Sequence, residues 1–230
     1  MTTFDLNTNS VRDLNAHIHN VSDEQISVDN AGGRHALAVG ATSGNDITIN
    51  GNVGYYCAGM NQQASITING HAGPGLAENM MSGVIRVTGD ASQYCAATAH
   101  GGLVVIEGNA SSRCGISMKG VNIVVKGNVG HMSAFMAQKG VLVVCGDAGD
   151  ALGDSIYEAR LYVRGTVASL GADCEEKPME DEHRQQLQQL LEEAGATDVS
   201  VDEFKRYGSA RKLYHFNICL LYTSPSPRDS

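Results

Sequence analysis

The chain has 230 residues, long enough to bury a sizeable core as one domain, and its formal net charge of −9 argues against a nucleic-acid-binding surface. No apolar run approaches the length that spans a membrane, and the first ten residues lack the apolar stretch of a signal peptide. None of the six cysteines forms a CxxC pair, so we expect a reduced, cytoplasmic protein with no membrane segment.

Residues 1–46 are predicted to form an irregular N-terminal head. Within the head, the segment 9–19, NSVRDLNAHIH, predicts one short helix that is capped by Ser10. The segment 26–30, ISVDN, is interpreted as an imperfect coil of the repeat that follows it. We expect the head to cap one open end of that repeat, where unpaired strand edges would otherwise be exposed.

The central region, 47–174, repeats every 19 residues around a recurring glycine. Apolar residues stand two and four positions before this glycine, which is the pattern of a strand with one buried face. The unit is too short for a β-α-β crossover, so we predict an all-β fold, a parallel β-helix of seven coils stacked about 4.8 Å apart. The recurring glycines are Gly51, Gly70, Gly89, Gly108, Gly127, Gly146 and Gly165.

Each column of this repeat is expected to form a ladder from coil to coil. The glycines are predicted to occupy corners with unusual dihedral angles, and the small residues seven positions later are predicted to lie where backbones pass closely. The residues two positions before the glycine are expected to form one buried ladder. They are Ile49, Ile68, Val87, Ile106, Val125, Val144 and Val163.

The residues three positions before the glycine point away from the core, because side chains alternate along a strand. On the last four coils these outward residues are apolar, and an apolar stripe of this kind is usually covered. Two covers are equally compatible with the pattern, the C-terminal tail of this chain or another subunit. The stripe consists of Val105, Val124, Val143 and Tyr162.

The tail, 175–217, is predicted to be helical. Its first helix carries Leu187, Leu190, Leu191 and Ala194 on one face and stops at Gly195, and the capping box SVDE at 200–203 predicts a second short helix to Tyr207. The tail is expected to cap the other end of the β-helix. Residues 218–230 are interpreted as a sequencing-adapter artefact and are excluded from the fold.

No residue set in the chain predicts a catalytic, cofactor-binding or metal site. The cysteines at 57, 95 and 114 share one column, but Leu76, Ser133 and Leu152 share it too, which favours buried small residues over a metal or redox site. No GxSxG or phosphate-binding glycine motif with its strand-to-helix context is present. Methionines in the loops are candidates for partner contacts or for core filling, namely Met60, Met80, Met81, Met118, Met132 and Met136.

The spacing G-x-x-G-x-x-x-G, complete at Gly146, Gly149 and Gly153, resembles the GXGXG domain of the glutamate synthase large subunit. Longer stretches such as GNVGYYCAGMN, GPGLAENMMSG and KRYGSARKLYHFN resemble the GlxC-type family, the small β-helical subunits of N-methylglutamate synthase. The resemblance extends from about residue 3 to Asn217 and implies a right-handed β-helix.

The resemblance also implies a function, that of a non-catalytic subunit in a complex that makes N-methylglutamate and ammonia from methylamine and glutamate. The implied partners are a glutamine-amidotransferase-like subunit and a synthase subunit that carries FMN and an iron–sulfur cluster, with no cofactor on this chain. The alternatives are a structural subunit of glutamate synthase proper or of formylmethanofuran dehydrogenase. A polysaccharide-processing β-helix enzyme is disfavoured because no groove of clustered acids is apparent.

Overall fold

The computed structural model describes residues 1–211, in which eleven strands form one sheet together with two α-helices. The strands follow one another through the sheet in chain order, except that β11 lies between β9 and β10. The helices are α1 (Val11–Asn20) and α2 (Asp181–Ala194). The strands are β1 (Thr2–Asp5), β2 (Gln25–Asp29), β3 (Asp46–Asn50), β4 (Ser65–Asn69), β5 (Val84–Val87), β6 (Leu103–Ile106), β7 (Lys119–Val125), β8 (Lys139–Val144), β9 (Arg160–Val163), β10 (Cys174–Lys177) and β11 (Lys205–Ser209).

The fold is a parallel β-solenoid of about seven turns, as predicted. From β3 to β9 each strand pairs in parallel with the next in the 19-residue register, so that Ile49 lies opposite Ile68 and Val144 opposite Val163. All seven members of the predicted ladder have no exposed surface. The predicted ladder is confirmed, and a slip of one residue is ruled out because it would turn the whole set to the outer face.

A second ladder stands on the other side of each glycine. The residues two positions after it join coil to coil through single parallel bridges, from Val53 to Ala72 and onward to Val167. Most of these side chains are small, and all of them except Val167 are buried in the interior of the solenoid. Because both walls face the same interior, the columns that the sequence shows as apolar converge in one continuous core.

The recurring glycines are required for a reason other than the predicted one. Only Gly51 has a positive φ, of 107°; the six later glycines do not. A Cβ atom on Gly70 would lie 2.7 Å from the backbone carbon and oxygen of Gly51, and one on Gly165 would lie 2.5 Å from the oxygen of Gly146. Close stacking of backbone on backbone therefore excludes a side chain at the six later glycines.

Six of the seven small residues that stand seven positions after the glycine have unusual dihedral angles. Ala58, Ala77, Ala96 and Ala134 have φ between 55° and 59°, and Gly115 and Gly153 in the same column have φ of 70° and 67°. Tyr94 and Met136 adopt the same left-handed conformation on the surface, so the conformation alone does not require small residues. The column consists of alanine and glycine because these positions are also buried inside the turns. The roles assigned to the two columns from sequence were thus reversed.

The N-terminal head continues the solenoid instead of merely covering it. Strand β2 contains all but the last residue of the segment interpreted as an imperfect coil, and it pairs in parallel with β3. Ile26 pairs with Ile47, which lies 21 residues later. A count in steps of 19 residues toward the N-terminus therefore ends at β3 and does not identify β2. Helix α1 is capped by Ser10 as predicted, and its Leu14 and Ile18 are completely buried in the main core.

The C-terminal tail was only partly predicted. Helix α2 ends at Gly195, which has φ of 71° and donates its N–H to the carbonyls of Glu192 and Leu191. The second predicted helix is wrong: the capping box of Ser200 and Glu203 forms, but the helical segment is a single 3-10 turn. The chain then enters β11, which pairs antiparallel with both β9 and β10. The predicted adapter segment, 218–230, lies outside the described residues.

Candidate functional site: the outward sheet face

The apolar stripe predicted to need a cover is buried within this chain. Its four members have no exposed surface and belong to a second hydrophobic cluster, separate from the core inside the solenoid. Leu187, Leu190 and Leu191 of α2 belong to the same cluster and are 0–3 % exposed. The structure therefore places the tail helix over the stripe.

Polar contacts hold α2 in place at both ends. Near its start, Arg160 pairs with Glu182 at 3.1 Å, and the hydroxyl of Tyr162 donates to Oε1 of Gln186 at 3.0 Å. Near its end, Lys126 donates to the carbonyl of Gly195 at 3.2 Å, and Arg86 donates to the carbonyl of Ala194 at 3.3 Å. These cations satisfy carbonyls at the helix C-terminus and interact favourably with its dipole.

Burial under α2 alters the titration of two groups on this face. The pKa of the Cys145 thiol is raised to about 11, chiefly because burial disfavours the thiolate. The pKa of Tyr162 is raised for the same reason. Both groups are therefore neutral near pH 7 and serve as packing elements. The outward residues of β3 and β4, Thr48 and Thr67, are half-buried and polar, so the apolar part of this face coincides with the part that the helix covers.

A polar ladder runs along the corner directly after the recurring glycines. From Asn52 to Asp147, each side chain accepts a hydrogen bond from the backbone N–H of its counterpart on the next coil. Asn109, for example, accepts from Asn128 at 2.9 Å, and Asp147 accepts from Thr166, the last member, at 2.7 Å. The ladder stabilises the stacking of the coils at the glycine corner. The sequence analysis did not predict it, although hydrogen-bond acceptors recur in the column directly after the glycine. They are Asn52, His71, Asp90, Asn109, Asn128, Asp147 and Thr166.

The cysteines of the shared column are buried in the main core. Burial raises the pKa of Cys57 to about 12. A hydrogen bond with Cys114 raises the pKa of Cys95 well above its ordinary value, and burial raises it further. The thiolate is the nucleophile of cysteine chemistry, so Cys57 and Cys95 are poorly suited to nucleophilic catalysis.

One group of potential metal ligands converges within residues 1–211. Ligand atoms of Glu180, Glu182 and His183 lie within 4.8 Å of one another at the start of α2. Nδ1 of His183 accepts the backbone N–H of Glu180 at 3.2 Å, and its Nε2 lies 3.1 Å from the Glu182 carboxylate. Burial lowers the pKa of His183, which favours the neutral ring. These hydrogen bonds account for the cluster as a helix cap.

A wide, open cleft of about 880 Å³ lies beside the first strands and is lined by backbone, amide and charged groups. Its polar groups bond mainly to one another: Asn50 donates to Asp29 at 2.7 Å, and Arg34 donates to the carbonyl of Asn30 at 2.7 Å. The cleft therefore has few groups directed at a ligand.

The loop methionines divide between core and surface. Met80 and Met118 are completely buried, Met132 is half-buried, and Met60, Met81 and Met136 are 41–48 % exposed. The position in the repeat separates these groups, because Met80 and Met118 stand ten residues after the recurring glycine, whereas the exposed Met60 and Met136 stand nine residues after it.

No protein-family model matches the chain. None of the helices within residues 1–211 is both long and apolar enough to cross a membrane. The chain is 61 % identical over 222 residues to Protein GlxC of Rhizobium meliloti (strain 1021), an alignment that covers 95 % of this chain and 97 % of that protein. The chain belongs to the GlxC family.

Proposed function

We propose that this chain is the non-catalytic β-helical subunit of a glutamate-synthase-type complex, N-methylglutamate synthase. The observation that carries the proposal is membership of the GlxC family over nearly the whole chain, together with a solenoid interior that is filled by buried apolar side chains. The complex would convert methylamine and L-glutamate to N-methyl-L-glutamate and ammonia in the cytoplasm. The GXGXG spacing of the glycine repeat supports the link to glutamate synthases.

The chemistry of the described side chains supports a structural role. Cys57 lies in the core inside the solenoid and Cys145 in the separate cluster beneath α2, so these two thiols do not belong to one ligand set. Within residues 1–211, the one group of three potential metal ligands that converges contains no cysteine. The histidine at 183 uses both ring nitrogens in contacts with neighbouring glutamates. We therefore assign FMN and the iron–sulfur cluster to the synthase subunit, and glutamine chemistry to the amidotransferase-like subunit.

Reconstitution tests the proposal. The chain would be co-expressed with an amidotransferase-like subunit and an FMN-binding synthase subunit, and methylamine-dependent formation of N-methylglutamate would be measured with and without it. We expect the three chains to co-purify, the activity to require all three, and the single chain to show neither flavin absorbance nor turnover.

Two results would contradict the proposal. Turnover by the single chain would show that it is catalytic. Full activity of the other two subunits without it, combined with no association, would remove it from the complex. Association with a glutamate synthase or a formylmethanofuran dehydrogenase subunit instead would favour one of the alternative complexes.

A further inference from the structure

An apolar patch lies on the turn side of the solenoid. We number the coils from the one that contains Gly51. The patch lies on coils three to five and includes a guanidinium, and all of its members are half-buried except Met136, which is exposed. We call it the turn patch, and its residues are Tyr94, Arg113, Ile116, Met132, Phe135 and Met136.

Direct contacts hold the turn patch together. The guanidinium of Arg113 lies over the ring of Tyr94, 5.8 Å from its centroid, and approaches Sδ of Met132 at 4.0 Å. The N–H of Ile116 donates to the carbonyl of Arg113 at 3.2 Å, and the N–H of Phe135 donates to that of Met132 at 3.3 Å. The side chains therefore project from the stacked turns of coils three, four and five, whose backbones are hydrogen-bonded to one another.

The turn patch has defined borders. In the positions that correspond to it, coil two carries Gly75, Glu78 and Asn79, and coil six carries Ala151, Asp154 and Ser155. A centre of aromatic, methionine and arginine side chains within a polar rim is the composition of the energetically important part of a protein interface. Scattered apolar surface residues do not show such borders.

Arg113 identifies the chemistry of the occupant. Within residues 1–211 its guanidinium contacts Tyr94 and Met132, and no carboxylate pairs with it there. The rim, by contrast, carries the carboxylates of Glu78 and Asp154. A complementary surface would place a carboxylate against Arg113, apolar groups around it and basic groups over the rim.

We propose that the turn patch is the docking site for another protein chain of the complex, one that presents a carboxylate set among apolar side chains. This inference rests on the proposed function, since it takes the occupant to be the amidotransferase-like or the synthase subunit. The turn patch would form the centre of the interface, because six residues cover less than the roughly 800 Å² that each partner buries in a standard complex.

Matched methionine variants provide the test. Met136 and Met60 occupy the same position in coils five and one, with φ of 52° and 55° and exposures of 41 % and 44 %. Met136→Glu and Met60→Glu therefore perturb the folded chain equally, which thermal unfolding would verify. Binding of each purified partner subunit to the immobilised full chain would be measured for both variants, together with Arg113→Gln and Arg113→Glu.

We expect Met136→Glu to weaken binding of one partner subunit by about tenfold or more, and Met60→Glu to change it less than twofold. Arg113→Glu should weaken binding more than Arg113→Gln, because it opposes the partner's carboxylate. Equal effects of the two methionine variants, with wild-type binding intact, would overturn this inference and leave the proposed function standing. Failure of the wild-type chain to bind either subunit would overturn both. A self-associated wild-type chain that Met136→Glu dissociates would assign the turn patch to a second copy and overturn the inference.

Discussion

Replacing Val124 with aspartate tests the docking of α2 on the sheet. The Val124 side chain has no exposed surface and lies between Val105 and Val143 on the neighbouring strands, beneath the leucines of α2. Losing its apolar contacts costs about 1.5–3 kcal/mol. Burying a carboxylate without a partner adds at least about 2 kcal/mol more.

The combined loss of about 4 kcal/mol is a large part of the 5–15 kcal/mol that stabilises a typical domain. Because the stripe and the interior of the solenoid are separate clusters, we expect the loss to release α2 before the coils unfold. Arg184 lies within α2, so trypsin cleavage after this residue reports the release of the helix.

Urea unfolding followed by circular dichroism, together with limited trypsin digestion, would measure both effects. Thr67→Asp is the matched control, because Thr67 holds the same outward position on β4 but is half-buried and polar. Val124→Ala should cost about 1.5–2.5 kcal/mol, since it removes two methyl groups without adding charge. If Val124→Asp were no more destabilising than Thr67→Asp and cleavage after Arg184 were not accelerated, α2 would not cover this stripe.

Three further predictions concern the ladder, the glycine column and the thiols. Asp147→Ala should be less stable than Asp147→Asn at pH 7, because only the asparagine keeps an acceptor for the N–H of Thr166. Hydrogen bonds from Thr166 lower the pKa of Asp147. In urea titrations, wild type should therefore lose its stability advantage over Asp147→Ala as the pH falls below about 4. Gly108→Ala should lower the free energy of unfolding by about 1–3 kcal/mol, because its Cβ would lie 2.9 Å from the carbonyl oxygen of the preceding coil; an unchanged urea midpoint would contradict the stacking argument. Cys57 and Cys95 should resist iodoacetamide at pH 8 until the chain is unfolded, because their raised pKa values keep them as thiols; peptide-resolved mass spectrometry that finds them labelled in the native protein would refute this.

Much of the solenoid could be read from the sequence because its contacts repeat. A side chain in a parallel stack meets its own counterpart on the next coil, so the ladder from Ile49 to Val163 follows from the 19-residue period alone. The stripe could likewise be recognised as needing a cover, since alternation places Val124 outside the core. The sequence could not show which segment covers the stripe. Leu187 lies more than three repeat lengths after Val124 in the sequence, and an apolar helix face can pack on any apolar surface.

The C-terminal strands show where local signals failed. The capping box of Ser200 and Glu203 correctly marks a helical turn, but the fate of the residues after it depends on β9, which ends more than 35 residues earlier. Pairing with β9 and β10 supplies backbone hydrogen bonds on both sides and buries Tyr207 against the main core. This gain outweighs the weak helical preference of a short segment, which tertiary context commonly overrides.

The sequence by itself determined the solenoid, its register and the apolar character of both buried faces. The 19-residue period and the alternation of apolar and polar residues are local properties that are present in each coil. Only the tertiary structure decided which column needs glycine. Stacking at about 4.8 Å brings the backbones of Gly70 and Gly51 together, while the turn of each coil holds residues such as Ala58 in the left-handed conformation. It also decided which outward residues a helix covers, because that outcome depends on distances between segments that no repeat encodes.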